Sequence, residues 1–347
     1  MRRAVASLIT RASLPILTRL DPEFAHRAGL AGLRALRPLL PPLQAPRALR
    51  VECLGLEFAH PVGLAAGFDK NGDHVDALGA VGFSHIELGT VTPRPQPGNP
   101  KPRMFRIGSE RALINRMGFN NQGVDHLVER LSSSTYPGIR GISIGKNFDT
   151  PLEQAHEDYL HCMRKVYRHA GYIAVNVSSP NTARLRELQA RDGLQRILGA
   201  MLEEREHLER GFGRRVPLLV KVAPDLEAAQ IAALAQDLRA LQVDGVIATN
   251  TTTNLSLLRC SPPARAAGGL SGPPLHALSL SVIGQLRAAL GASFPIIGVG
   301  GIVDVEHALA TLRAGATLLQ VYTGFAYRGA PLLEEIVRGL EAARRYA

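Results

Sequence analysis

The stretch Gly171-Tyr172-Ile173-Ala174-Val175-Asn176-Val177-Ser178-Ser179-Pro180-Asn181 passes from an apolar run of strand character into two asparagines, two serines and a proline. A buried strand that stops at hydrogen-bonding side chains is a place to hold a polar ligand. Asn176 and Asn181 each offer a carbonyl and an amide, which matches a ligand carrying alternating donors and acceptors. Ser179, between them, is a candidate proton-transfer group. The same residues also suit an ordinary strand-to-helix turn, so the stretch has to be weighed with the rest of the chain.

Working outward, similar apolar runs occur at Pro61–Ala66, Phe83–Leu88, Gly141–Ile144, Pro217–Val222, Asp244–Ala248, Pro295–Val299 and Thr317–Val321, and Tyr172–Val177 makes eight. Helix-like segments such as Leu152–His169, Leu226–Leu241 and Val305–Ala314 lie between them. Continuous apolar strands alternating with helices imply a parallel sheet buried on both faces. Eight such units predict an α/β fold of the closed (β/α)8 TIM-barrel type. Two connections are long, Val91–Asn115 and Thr251–Gly272, and loops of that length in a compact domain are usually lids or binding loops.

Barrels of this type carry their chemistry at the C-terminal ends of the strands. Here those ends read Ala65-Ala66-Gly67-Phe68-Asp69-Lys70, Gly89-Thr90, Ser143-Ile144-Gly145-Lys146-Asn147, the Asn176–Asn181 stretch, Lys221, Thr249-Asn250-Thr251, Gly298-Val299-Gly300-Gly301-Ile302 and Tyr322-Thr323-Gly324. Nearly every strand ends in a polar side chain or a glycine. The glycines after the seventh and eighth strands suit a phosphate held by backbone N–H groups. No strand-linked Gly-x-Gly-x-x-Gly is present, which argues against a Rossmann dinucleotide site; the phosphate belongs to a substrate or a mononucleotide cofactor. Lys221, closing an apolar strand, suits a Schiff base, a fixed positive charge beside an electron-accepting ring, or a plain salt bridge, so this residue alone decides nothing. Lys70 can supply positive charge to an anionic substrate.

Residues 1–46 differ in character from the rest of the chain. Val5, Leu8, Ile9, Ala12 and Ile16 recur at helical spacing, and Asp21-Pro22-Glu23 reads as a second helix start before a proline-rich linker. The first fifty residues hold nine arginines against Asp21 and Glu23, so most of the chain's net charge of +10 lies there. Short basic helices with an apolar face suit a membrane surface; a helical cap on the main domain and a transit peptide are the competing readings. Hydrophobic residues make up 46% of the 347-residue chain and mean hydropathy is +0.02, as in a soluble globular protein. Cys53, Cys162 and Cys260 lie far apart without a Cys-x-x-Cys, which gives neither a disulfide framework nor a metal site.

Taken together these strand ends resemble the dihydroorotate dehydrogenase family. The likeness rests on Ala65–Lys70, Gly89-Thr90-Val91-Thr92-Pro93, Asn115-Arg116-Met117-Gly118-Phe119-Asn120-Asn121, Asn176–Asn181, Thr249-Asn250-Thr251, Gly268-Gly269-Leu270-Ser271-Gly272 and Gly298–Ile302, and runs from about Asp21 to the C-terminus. It implies a flavin mononucleotide (FMN) enzyme that oxidises dihydroorotate to orotate in pyrimidine synthesis. Ser179 would be the catalytic base; a serine here resembles the membrane-associated, quinone-using class, where the soluble class has cysteine. Lys70, Asn115, Arg116, Met117, Gly118, Phe119, Asn176, Asn181, Asn250 and Thr251 would bind substrate. Ala65, Ala66, Gly67, Phe68, Asp69, Thr90, Ser143, Asn176, Lys221, Thr249, Gly272, Gly301, Tyr322 and Thr323 would surround the flavin. Phe119 and Thr182 would flank the serine, and His26, Arg106 and Tyr322 resemble positions near the quinone.

The family usually has asparagine where this chain has Ser143, so a direct flavin contact there is expected to be water-mediated or lost. The resemblance further implies two parts: 1–46 for membrane association and quinone entry, and 47–347 as the FMN-binding barrel. It implies a monomer peripheral to the cytoplasmic face of an inner membrane, the mitochondrial inner membrane being the alternative, with no nucleic-acid partner. The rival readings are an aldolase or isomerase using Lys221, a flavin reductase acting on RNA, and a non-catalytic membrane scaffold.

Overall fold

All eight apolar runs form strands: β1 (Val62–Leu64), β2 (His85–Val91), β3 (Ile139–Ile144), β4 (Tyr172–Asn176), β5 (Leu218–Val222), β6 (Gly245–Ala248), β7 (Ile296–Val299) and β8 (Leu318–Val321). The computed structural model describes residues 13–40, 45–182, 184–189 and 191–345. In it the eight strands are all parallel, each beside its sequence neighbour, and β8 returns to β1 to close the ring. The fold is the (β/α)8 TIM barrel with helices outside.

Alternation along each strand sorts the core. Ile173 and Val175 of β4 and Val220 of β5 face the outer helices, within the large core that also holds Ile283, Leu286 and Leu332. Ala174, Leu219, Ile247, Ile297 and Leu318 point into the bore. The bottom of the bore is closed by an antiparallel hairpin, Val51–Cys53 with Leu56–Phe58, whose Cys53 and Phe58 pack against that inner set.

The two long connections are not plain loops. Met104–Ile107 and Ala112–Asn115 form a hairpin after β2, and Gly269–Ser271 from the excursion after β6 pairs with Ala112–Asn115. This three-stranded sheet has its own small core of Ile107, Ala112, Ile114 and Leu270. Pairing between segments more than 150 positions apart leaves no local signal, which is why hydrophobic periodicity missed it.

The expected second N-terminal helix is present as α1 (Pro22–Leu36), with Asp21 as its N-cap accepting the Phe24 N–H at 2.9 Å and proline in its first turn. Of the expected first helix, 13–17 is helical and Val5, Leu8, Ile9 and Ala12 lie outside the described residues, as do Pro41 and Pro42. Helix α1 is fastened to the hairpin after β2. Arg103 grips Glu23 through two bonds of 3.1 and 2.8 Å, and Arg106 donates to the carbonyls of Thr18 and Leu20 at 2.7 and 3.0 Å. Among the described residues, four of the six exposed large hydrophobic ones, Ile16, Leu20, Phe24 and Leu39, lie on this one segment. Among the described residues no helix is long and apolar enough to cross a membrane.

Candidate active site

The strand ends converge on one cavity at the top of the barrel. Ala65, Ala66, Gly67, Lys70, Thr90, Asn115, Met117, Gly118, Phe119, Asn176, Ser179, Asn181, Lys221, Thr249, Asn250, Thr251, Gly272, Gly301, Tyr322 and Thr323 all line it. Four of the residues expected to hold flavin or substrate do not. Ser143 sits behind Thr90, sharing a 2.9 Å hydrogen bond with its hydroxyl, because its side chain is too short to reach past it. The Asp69 carboxylate is used up inside its own turn, accepting the N–H groups of Asp73 and His74 at 3.1 and 2.8 Å. Arg116 turns outward to the Pro102 carbonyl. Phe68 faces the neighbouring apolar cavity.

A chain of bonds fixes the polar wall. Asn176 Nδ2 donates to Thr90 Oγ1 at 2.7 Å, Ser178 Oγ donates to Asn176 Oδ1 at 3.1 Å, and Asn250 Nδ2 donates to Ser178 Oγ at 2.9 Å. Asn181 Nδ2 donates to Asn115 Oδ1 at 3.1 Å, joining the loop after β4 to the small sheet. The two adjacent serines therefore differ: Ser178 is committed to the scaffold, whereas Ser179 Oγ accepts only the Asn181 N–H, at 3.2 Å, and has no second protein partner among the described residues. Ser179 is 6% exposed. Nearby, the Thr182 hydroxyl is buried without a partner among the described residues.

The floor carries a feature that residue type alone did not reveal. Lys221 Nζ pairs with Glu87 Oε1 at 3.3 Å, and Glu87 is wholly buried in the bore. The other Glu87 oxygen accepts Tyr172 Oη at 3.1 Å and Gln320 Nε2 at 2.8 Å. A carboxylate can only accept, so the Gln320 amide must turn its Nε2 toward it. Its Oε1 is then left buried and, among the described residues, unpartnered, in a residue that lines the cavity. That orphaned acceptor, beside a paired ammonium, fits a flat heterocycle with an N–H edge. At the rim, Gly301 lines the cavity with φ +73°, and a Cβ there would lie 2.6 Å from His276 Cβ, so only glycine lets this turn pack against the start of the helix that begins at His276. These residues fit a flavin nucleotide.

A second cavity of about 540 Å³ adjoins the first, between α1 and the barrel top. It is mainly apolar and is lined by His26, Phe68, Met104, Arg106, Leu113 and Phe325, among others; Tyr322 lines both cavities. Burial holds His26 down at about 4, so it is neutral, and its Nε2–H donates to the Phe68 carbonyl at 2.8 Å. Burial pushes Tyr322 up to about 12, keeping it a phenol. The Phe68 ring touches His26, Tyr322 and Phe325 edge-on or tilted, with centroids 4.8 to 5.3 Å apart.

The sequence profile described as dihydroorotate dehydrogenase matches residues 48–343. The chain belongs to the dihydroorotate dehydrogenase family. A protein named dihydroorotate dehydrogenase (quinone) from Alkalilimnicola ehrlichii is 51% identical over 336 residues, covering 94% of this chain and 97% of that protein. Its namesake from Ectopseudomonas mendocina is 49% identical, covering 95% and 98%. These relatives group the chain with the quinone class, class 2. Among solved structures, that of the Eimeria tenella enzyme in complex with ferulenol has a TM-score of 0.84 and 37% identity, covering 93% of this chain and 91% of that one. Dihydroorotate dehydrogenases are flavoenzymes, in keeping with the orphaned acceptor and paired lysine on the floor. Sequence reading assigned no role to Glu87 or Gln320; the one available signal was a charge inside the apolar run His85-Ile86-Glu87-Leu88.

Proposed function

We propose that this protein oxidises dihydroorotate to orotate in pyrimidine synthesis, with FMN in the polar cavity and a membrane quinone entering the apolar one. The observation that carries this reading is the pair of cavities meeting at Tyr322, the more polar one holding Ser179 and Lys70, the other mainly apolar and opening beside α1. A bound flavin supplies the hydride acceptor.

The chain's own residues do the rest. Asn115, Asn176, Asn181 and Asn250 meet the amide edges of the substrate ring, and Lys70 meets its carboxylate. Ser179 Oγ would take the proton from C5 and pass its own hydroxyl proton outward as the C6 hydride leaves for the acceptor a flavin would supply, so a C5–C6 double bond forms and the serine stays neutral. Serine is a weak base and works here because the site is nearly dry and the departing hydride acidifies C5. The unpartnered hydroxyl of Thr182, three positions along, offers the proton a first step outward. The Lys221 ammonium favours electron-rich flavin. The Schiff-base alternative needs a free amine, and Lys221 is ion-paired.

Burial, with the Arg103 charge adding to it, pushes Lys70 down to about 8. The ammonium that pairs with the substrate carboxylate therefore exists below that value and is lost above it. KM for dihydroorotate should rise as pH passes upward through about 8. A KM flat between about pH 6 and 10 would contradict that role.

The exposed apolar side chains of residues 16–39 and the arginines around them suit a peripheral seat on an anionic bilayer. The protein acts there as a monomer, with 1–46 as the docking segment and 47–347 as the catalytic barrel. Deleting 1–46 should preserve dihydroorotate oxidation with a soluble acceptor but abolish vesicle binding and most of the rate with a detergent-dispersed quinone. Equal quinone rates in the two forms would overturn that part of the reading.

A further inference from the structure

The segment after the Asn176–Asn181 stretch contains a short 3₁₀ helix, Leu185–Gln189, docked by the buried side chains of Leu185 and Leu188. Arg186, on this helix, uses all three of its guanidinium nitrogens. Nε donates to the Ser178 carbonyl at 3.1 Å, Nη2 to the Thr251 carbonyl at 2.9 Å, and Nη1 to Asp225 Oδ2 at 2.7 Å. Asp225 also accepts from the Thr252 hydroxyl and, at 3.3 Å, from the Thr253 N–H. Gln189 Oε1 accepts the Ala223 N–H at 3.0 Å. One side chain thus joins the loops that follow β4, β5 and β6.

What it joins matters. Ser178 is the neighbour of Ser179, and Thr251 lines the same cavity. We propose that Arg186 is a positioning residue that fixes the distance between the serine that takes the proton and the loop that holds the substrate. This rests on the proposed function and adds a residue to it; Arg186 itself does not line the cavity. The planar fork is needed, because three divergent acceptors match a guanidinium and not an ammonium, which is a compact point charge on a flexible stem. A displacement of the reacting groups by about 1 Å is enough to cost roughly a hundredfold in rate.

The test uses the purified full chain with its flavin. Arg186→Ala should keep flavin content, visible spectrum and thermal midpoint close to those of the unaltered protein. It should slow anaerobic bleaching of the flavin by dihydroorotate about a hundredfold and weaken orotate binding measured by calorimetry. Added guanidinium ion should restore part of the bleaching rate, and Arg186→Lys should resemble Arg186→Ala. Asp225→Asn, which loosens the anchor and keeps the guanidinium, should fall between.

Unchanged bleaching and orotate affinity in Arg186→Ala would overturn the proposal. So would losses that merely follow lost flavin or lost folded protein, or rescue by lysine as complete as the original. If the unaltered protein carried no flavin, the functional reading would fail, while orotate calorimetry on the variants would still decide whether the clamp shapes the pocket.

Discussion

Ser179→Ala should slow the reduction of bound flavin by dihydroorotate by about 10²–10⁴-fold, the range for losing a positioned general base. Flavin content and orotate affinity should hardly change, because Ser179 Oγ accepts one backbone N–H and supports nothing else in the wall. Ser178→Ala should behave differently: its hydroxyl bridges Asn176 and Asn250, so binding should weaken along with rate. The measurement is anaerobic single turnover at saturating substrate, which separates chemistry from quinone reoxidation. Normal reduction in Ser179→Ala would remove Ser179 from the base role.

Glu87→Leu should destabilise the fold by about 3–5 kcal/mol, the cost of stranding one partner of a buried ion pair. Glu87 is fully buried and the Lys221 side chain is 6% exposed, so water cannot replace the lost carboxylate. The Tyr172 hydroxyl and the Gln320 amide would lose their shared acceptor as well. Combining Glu87→Leu with Lys221→Met should recover much of the stability, since apolar replacement of both partners is often neutral or better. Urea unfolding of the FMN-free protein reads both variants, because bound ligand shifts stability by mass action and Lys221 lines the cavity that would hold it. A double variant no more stable than Glu87→Leu would show that Glu87 supports the barrel independently of Lys221. Barrel bores are usually filled by branched apolar residues, and this pair holds charge beneath the site at a cost in stability.

Much of this could be read from the residues. Strand position follows from local hydrophobicity, and the fold type then says that Asn176, Lys221 and Thr249, far apart in sequence, face one another. The cap at Asp21-Pro22 is equally local. What could not be read depends on contacts between distant segments or on side-chain reach. The pairing of Gly269–Ser271 with Ala112–Asn115 is of the first kind. So is Arg186, which in sequence is one more surface arginine and gains its meaning from carbonyls at 178 and 251. Ser143 is of the second kind: its place in the strand is right, but its hydroxyl stops at Thr90. Phe68 belongs to the correct loop and turns into the other cavity.

The most direct measurement is the visible absorption of the purified full chain before and after anaerobic addition of dihydroorotate, followed by a quinone. The expected result is a yellow protein that releases FMN on denaturation, bleaches with substrate and recovers its colour with quinone. A colourless protein, or a yellow one that dihydroorotate leaves unbleached, would contradict the placement of flavin and Ser179 over the same cavity.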